Sequence, residues 1–579
     1  MPVVAVPLNI LSRLTGKMLT PEEIIGLLGE LGCDVEGFEP LTNRLKMNLL
    51  PARPDMFDVC GLARCLRGYL GVETGLKEYA FDSSGITVQV AKGLEEVRRF
   101  IVAAVIKNVR LDEEQVAVLM EMQENLHWGL GRDRRRASIG IYDLSMVTPD
   151  FVYQPVAPDG VRFAPLGGVE SKGTVPLTPA EILEFHPKGR AYRHLLAGYK
   201  VYPLLTDSKG KVLSMPPIIN SDETKVTEKS RELFVDVTGP DEWAVKKCLA
   251  VVAAAFADLG GEVQTVRVVY PDGRADVTPD MTPERMTVNL DDVVAVVGVQ
   301  LPPDKVVELL RRMRYEVVKE SVHPDAMEVL IPAYRVDVLH PWDIVEDVAI
   351  AYGYHHLPRK LIPTVTSSRP RAIEEFSQLC RRVLIGLGFI ETMTLALTCP
   401  EVHFVKLNLQ DDGRSVQLEN PATVEQTILR RHLFSGLLET FSINTTQPLP
   451  QQIFEVGDVF RVDEKAETGT ITQRHLAVGM ADAKAGFADI KAVIEAVNRE
   501  MDFTVSFVPA DEMPFIPGRC AVLQTSSGKR VGILGEVHPE VLERFGLTVP
   551  LVMAEVDIEC LQAEKNSSAP LDYALSSLW

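Results

Sequence analysis

The stretch Tyr334-Arg335-Val336-Asp337-Val338-Leu339-His340-Pro341-Trp342-Asp343-Ile344-Val345-Glu346-Asp347 sets four carboxylates within eleven residues, three of them just after a proline. Proline is tolerated at the first helical position, where its missing N–H costs nothing, so the sequence predicts a helix from Pro341. Asp343, Glu346 and Asp347 then stand at i, i+3 and i+4 on one outward face. Val345, Val348, Ala349 and Tyr352 fall on the opposite, packing face. Asp337 arrives from the strand-like Glu328-Val329-Leu330-Ile331-Pro332-Ala333-Tyr334. An oxygen-only ligand set favours Mg²⁺ or Ca²⁺ over zinc. Acidic residues in a first helical turn are also stabilised by the macrodipole while simply facing water, so spacing alone leaves both readings open.

Around this segment lies a chain of 579 residues, too long for one hydrophobic core and sufficient for roughly four domains. Its 46% hydrophobic content can bury each of them. A net charge of −20 makes the molecule as a whole repel a phosphate backbone, so any nucleic-acid contact must be local or supplied by a partner. Eight scattered cysteines without a CxxC pair point to free, mostly buried thiols and a reducing, cytosolic setting. No apolar run approaches the ~18 residues of a membrane span, and the N-terminus lacks a secretory pattern.

Outward from the acidic block, Pro303-Asp304-Lys305 opens a helix with Val306, Leu309, Leu310 and Met313 on one side, giving a small helical module over 276–362. Residues 1–95 form an N-terminal α+β domain, with helices after Thr20-Pro21-Glu22-Glu23 and after Arg53-Pro54-Asp55; the second carries its arginines on the solvent side. Residues 96–275 alternate apolar strands such as Phe100-Ile101-Val102-Ala103-Ala104-Val105-Ile106 with helices, an α/β or α+β body. Residues 363–562 carry long helices and strands such as Gln452 to Phe460, the texture of an antiparallel sheet flanked by helices. The Ser/Asn/Ala-rich 563–579 reads as a flexible tail. The fold class is multidomain α+β.

Three motifs in order, Arg53-Pro54-Asp55 with Asp58-Val59-Cys60-Gly61-Leu62-Ala63-Arg64, then Arg335 to Asp347, then Phe454-Glu455-Val456-Gly457-Asp458, resemble one family over nearly the whole chain. It is the beta-subunit family of phenylalanyl-tRNA synthetases in its short archaeal and eukaryotic form. The resemblance implies an α₂β₂ heterotetramer that joins phenylalanine to its tRNA with ATP and Mg²⁺, the synthetic and ATP site lying in the alpha subunit. It implies an editing domain over 96–275, a module similar to winged-helix or DNA-binding folds over 276–362, and a catalytically silent core over 363–562 similar to class II synthetases. The silent core agrees with the residues: Leu418-Glu419-Asn420-Pro421 and Leu429-Arg430-Arg431 lack a complete ATP-binding arginine set, and Phe515-Ile516-Pro517-Gly518-Arg519 lacks the expected His. Arg430 and Arg519 are therefore read as fold or interface residues. The family's magnesium site maps onto Asp337, Asp343, Glu346 and Asp347.

Tyrosine differs from phenylalanine by one hydroxyl, which an apolar pocket rejects only weakly, so a second, hydrolytic site is needed. By resemblance, Leu205 supplies a pocket wall, and Ser214, Asp236 and Thr238 supply contacts to substrate or water. Val235-Asp236-Val237-Thr238-Gly239 also reads as a half-buried strand entering a turn. No Ser-His-Asp arrangement is legible, which favours positioned water over an acyl-enzyme. His186 and His194 read as satisfied structural histidines. The cluster Arg132-Asp133-Arg134-Arg135-Arg136 is either a solvated turn or a phosphate contact for the tRNA. A scaffold with an inactive pocket and a free-standing nucleic-acid-binding protein are the competing classes.

Overall fold

The helix Val59–Tyr69 starts where Asp58 Oδ1 accepts the backbone N–H groups of Cys60 and Gly61, two donors that the first turn leaves unmet. Gly61 permits the preceding Pro54–Met56 turn to close on it, since a Cβ there would lie 1.7 Å from the Asp55 carbonyl oxygen. Every residue of this helix but Arg67 is buried. Arg64 is only 2% exposed, contrary to the expectation that the arginines face solvent. Its Nε lies 2.7 Å from Asp258 Oδ2, at the end of the helix Glu242–Asp258, and its guanidinium stacks over Tyr334 at 4.3 Å. Lys77 Nζ reaches the other Asp258 oxygen at 2.9 Å.

The computed structural model describes residues 3–48, 51–110, 112–169, 173–318, 325–362, 364 and 366–568. They fall into two compact units, Met1–Leu361 and Ile362–Trp579. In the first unit, Val3–Pro7, Arg44–Asn48 and Asp34–Glu39 form a three-stranded antiparallel sheet. A ten-stranded sheet follows. Its order is Ile219–Asn220, Val212–Met215, Tyr202–Asp207, Phe151–Val156, Asp82–Val90, Glu262–Val269, Phe100–Lys107, Leu233–Gly239 and Ser138–Asp143, with Ala275–Thr278 added beside Glu262–Val269. Pairing is antiparallel except where Asp82–Val90 meets its two neighbours. The helix Glu242–Asp258, buried along most of its length, packs on one face of this sheet.

One expected boundary shifts. Asp82–Val90 belongs to the second sheet, so the break placed at 95 moves toward residue 81: the strand's hydrogen bonds go to Glu262–Val269 and Phe151–Val156. The module over 276–362 is not purely helical. Glu284–Asn289, Ala326–Ile331 and Glu316–Val317 form an antiparallel sheet against the helices Leu290–Val297, Pro303–Arg312 and Pro341–Tyr352. Ala326–Ile331 overlaps the strand-like stretch read from Glu328, whereas Glu316–Val317 escapes sequence reading because alternation over two residues carries no signal.

The second unit has the expected antiparallel sheet, seven strands with one parallel edge pair, Ile390–Glu391 beside Gln451–Val462. Helices Ala372–Gly386, Phe487–Glu500 and Ile558–Ser568 cover one side and Phe434–Ile443 the other. Residues 563–568, expected in a flexible tail, continue the last helix; 569–579 lie outside the described residues. Seven of the eight cysteines are buried and all are free, Cys399 being half-buried. Among the described residues no helix is long and apolar enough to cross a membrane.

Breaking a buried ion pair from one side strands the other charge. Asp258→Ala should therefore destabilise the first unit by about 3–5 kcal/mol, read as an earlier denaturant transition; an unmoved midpoint would show that Arg64 does not depend on this carboxylate.

Candidate functional site

Residues on alternate positions of a strand share a face, so Phe234, Asp236 and Thr238 look the same way from Leu233–Gly239. The antiparallel neighbour places Tyr142, Gly140 and Ser138 directly opposite them. Gly140 leaves a notch over Asp236, and Tyr142 leans across it: a Cβ on residue 140 would meet Tyr142 Oη at 2.0 Å and Asp236 Oδ1 at 2.5 Å. Tyr142 Oη lies 2.5 Å from Asp236 Oδ1 and 2.7 Å from Ser214 Oγ. A phenol has one hydrogen. The consistent chain has Ser214 donating to Tyr142 and Tyr142 donating to Asp236. No protein donor among the described residues is seen at Asp236 Oδ2.

This cluster is the floor of a cavity of about 150 Å³ whose wall and mouth include Glu124, His127 and Arg134. Burial pushes the Asp236 carboxyl up from 3.8 to about 7, although the Tyr142 hydrogen bond and the charge of Arg98 both oppose it. Burial and the adjacent Asp236 hold the Tyr142 phenol protonated far above its ordinary range. Burial pulls His127 down to about 4, so it is neutral at pH 7; its Nε2 accepts the backbone N–H of Ile139 at 2.8 Å. Burial would raise Glu124, yet His127, Arg134 and Lys188 outweigh it and keep the carboxylate ionised.

Of the four expected pocket residues, Ser214 and Asp236 meet through Tyr142. Thr238 stands behind the pocket, fully buried, where Arg98 Nε donates to its Oγ1 at 2.9 Å and Ser138 Oγ lies 3.2 Å away. Its contact is therefore with Arg98 rather than with the cavity. Leu205 pairs in register with Ser214 and is buried in the apolar cluster that also holds Tyr142 and Phe234. It backs the floor and does not line the cavity. Tyr142 was not singled out from sequence; its signal was the glycine two residues earlier in an apolar strand, a mark of close approach. His186 is satisfied, capping the helix Pro187–Tyr192 through Nδ1 with Nε2 at the Leu166 carbonyl, whereas His194 is exposed.

The arginine cluster divides. Arg134 turns inward and donates to the carbonyls of Pro217 and Ile218 and to Glu124 at 2.9–3.0 Å, while Arg132 and Arg135 face solvent. Arg136 pairs with Asp241 at 2.6 Å.

The acidic block forms the predicted helix Pro341–Tyr352, but its carboxylates do not share an outward face. Asp347 is 3% exposed and accepts from Tyr315 at 2.5 Å and from Arg335 Nη2 at 2.7 Å. The same Nη2 lies 2.6 Å from Asp337, which Arg335 pulls down to about 2 against the effect of burial. Asp343 caps the helix by accepting from Leu339 and His340 N–H groups. Glu346 alone is exposed. A guanidinium thus stands where a cation would, and no three His, Cys, Asp or Glu side chains among the described residues gather to hold a metal. In the second unit, Arg430 spends its donors on Glu455, Thr394 and the Asp458 carbonyl, and Arg519 pairs with Glu536.

The pocket on a strand-built domain, the small α/β module and the seven-stranded sheet belong to a chain whose family matches place it among the components of aminoacyl-tRNA synthetases. Residues 357–558 match the phenylalanyl tRNA synthetase beta chain CLM domain, and residues 286–354 match the tRNA synthetase B5 domain. The chain is 38% identical over 560 residues to the phenylalanine–tRNA ligase beta subunit of Methanococcoides burtonii, covering 96% of this chain and 100% of that protein. It is 40% identical to that of Archaeoglobus fulgidus, covering 96% and 98%. The crystal structure of an N-terminal fragment of the phenylalanyl-tRNA synthetase beta subunit from Pyrococcus horikoshii aligns with TM-score 0.57 and 37% identity, over 61% of this chain and 99% of the fragment. The chain belongs to the phenylalanine–tRNA ligase beta-subunit family.

Because Asp236 is protonated to about pH 7 in the fold but only to about 3.8 when unfolded, its contribution to stability is whole below pH 4 and is lost as pH rises through 7. Asp236→Asn should abolish that loss, so its stability advantage over the parent grows from pH 4 to 7 and then levels. Tyr142→Phe, which removes a hydrogen bond that lowers Asp236, should move the midpoint upward. Parallel stability profiles for Asp236→Asn and the parent would contradict the assignment.

Proposed function

We propose that this chain acts with a phenylalanyl-tRNA synthetase alpha subunit in an α₂β₂ assembly, and that its own chemistry is hydrolysis of tyrosine wrongly esterified to the phenylalanine tRNA. The observation that carries the reading is the polar floor of the pocket. Asp236 Oδ2 and the Tyr142–Ser214 hydroxyls offer partners for a phenol hydroxyl at the buried end of the cavity. Phenylalanine in the same position would leave that floor unpaired, a loss of about 1–3 kcal/mol per buried group. Arg98, a buried cation held on Thr238 and Ser138, keeps a fixed positive field beneath Asp236.

Ser214 is committed to Tyr142, and His127 to the backbone of Ile139, so neither forms a nucleophile and base pair. Water is the nucleophile: its oxygen bonds to the ester carbonyl carbon, the bond to the ribose oxygen breaks, and the water's proton ends on that oxygen. The residues bind and orient the ester, which supplies the gain of proximity. Activation of phenylalanine with ATP is assigned to the alpha subunit, because Arg430 is consumed by the fold of the second unit. The acidic block as it stands does not fit a bound Mg²⁺, since Arg335 already bridges Asp337 and Asp347. A cytoplasmic location follows from a role in translation.

Deacylation of Tyr-tRNA by the assembled enzyme should fall roughly ten- to hundredfold in Asp236→Ala, the value of one buried polar partner, with phenylalanine charging intact. Hydrolysis undiminished in that variant would sink the reading.

A further inference from the structure

Among the described residues lining the cavity there are two carboxylates, Asp236 at its buried end and Glu124, whose side chain is 48% exposed, toward its mouth. The two oxygens of Glu124 are not equivalent. Oε1 accepts from Arg134 Nη2 at 2.9 Å and from Lys188 Nζ at 3.2 Å. Oε2 accepts no hydrogen bond among the described residues, and His127 Nδ1 stands 3.9 Å from it, too far for one. The neutral imidazole takes the Ile139 N–H on Nε2, so its own hydrogen is on Nδ1 and the ring brings no charge to Oε2.

Glu124 is also held in place. On its helix, Glu113–Trp128, Gln123 Nε2 donates to the Ile139 carbonyl at 2.6 Å while His127 accepts the N–H of the same residue. The helix is thereby clamped to Ser138–Asp143 one residue before Gly140, the position whose missing side chain leaves room over Asp236. The result is an ionised carboxylate fixed through one oxygen, with the other left open on the same wall. Its cations do not close that oxygen to a further one. Arg134 directs its remaining bonds to the carbonyls of Pro217 and Ile218, and the Lys188 side chain is 43% exposed, where water screens its charge.

An aminoacyl ester presents two polar ends to such a cavity. With the phenol at Asp236, the reacting carbonyl lies toward the mouth, and the α-ammonium is two bonds from that carbonyl carbon. A cation there needs an anionic acceptor, and a charged hydrogen bond of this kind is among the stronger ones. An acylated nitrogen has lost the charge, and its acyl group occupies the space of the acceptor.

We propose that Glu124 is a specificity-determining residue of the pocket: Oε2 accepts from the α-ammonium of the bound ester, so the site takes esters with a free α-amino group and rejects those whose nitrogen is acylated, peptidyl esters included. The inference rests on the hydrolytic reading of the pocket and adds to it a second point of recognition, at the opposite end of the substrate from the phenol.

The test compares hydrolysis by the assembled enzyme of Tyr-tRNA, N-acetyl-Tyr-tRNA and des-amino-tyrosyl-tRNA, each rate divided by the spontaneous rate of the same ester, because an α-ammonium by itself makes an ester more labile. The parent should favour Tyr-tRNA over both others by roughly 10- to 150-fold, the range for a hydrogen bond to a charged group. Glu124→Gln should collapse that preference by slowing Tyr-tRNA, and Glu124→Asp should restore part of it. A glutamate that serves only to seat Arg134 would slow all three esters together, and that result overturns the proposal. Rejection of the acetylated ester alone would report steric exclusion and overturns it too. The comparison on the parent needs no variant, so it decides the matter even if Glu124→Gln fails to fold. A parent that hydrolyses all three esters alike defeats this inference only; one that hydrolyses none defeats the pocket reading and this inference with it.

Discussion

Asp258 ends the helix Glu242–Asp258 and is met by three cations, Arg64, Arg67 and Lys77, from a segment nearly two hundred positions earlier. Its carboxylate is 1% exposed, and despite burial those cations hold it below the ordinary carboxylate range. A carboxylate this deep is tolerable only because its neighbours are charged and close. The helix it terminates packs against Phe100–Lys107 and Leu233–Gly239, the second of which carries Asp236 into the pocket floor. The N-terminal domain therefore reaches the pocket through this ion cluster: it fixes the helix, the helix fixes the sheet, and the sheet fixes Asp236.

The first unit uses arginine in a second way, as a permanent internal counter-ion. Arg98 lies buried just before the strand Phe100–Lys107 without a carboxylate in contact, donating four hydrogen bonds to Thr238, Ser138 and the Arg134 carbonyl. Burial pulls it only to about 10, so it remains cationic at neutral pH. Arg335 does the same for Asp337 and Asp347. A guanidinium suits both places because its planar fork satisfies several acceptors at once.

Much of this was legible from sequence where a period or a cap is strong. Thr20-Pro21-Glu22-Glu23 does begin a helix with a reciprocal cap, Pro341 does open one, and Gln452 to Phe460 is a strand. Asp236 and Ser214 could be named, but not the residue that joins them. Tyr142 lies seventy-two positions from Ser214 and ninety-four from Asp236, and the contact exists only through strand register. The acidic helix failed differently. Helical spacing placed its carboxylates correctly on one wheel, but it carried no knowledge of Arg335 or Tyr315, which draw Asp347 inward. Similarly, five basic and acidic letters in a row at 132–136 look like one patch until positive φ values deal them to two sides.

The distribution of thiols has a practical side. Burial raises the thiols of Cys33, Cys60, Cys65, Cys248, Cys380 and Cys520, and thiolate is the reactive form. Cys560 is also enclosed. The native chain therefore presents alkylating dyes with a single accessible sulfur, Cys399, beside the turn that starts at Glu401. A fluorophore attached there would mark the second unit, and the seven shielded thiols would serve as an internal clock of unfolding as they become modifiable.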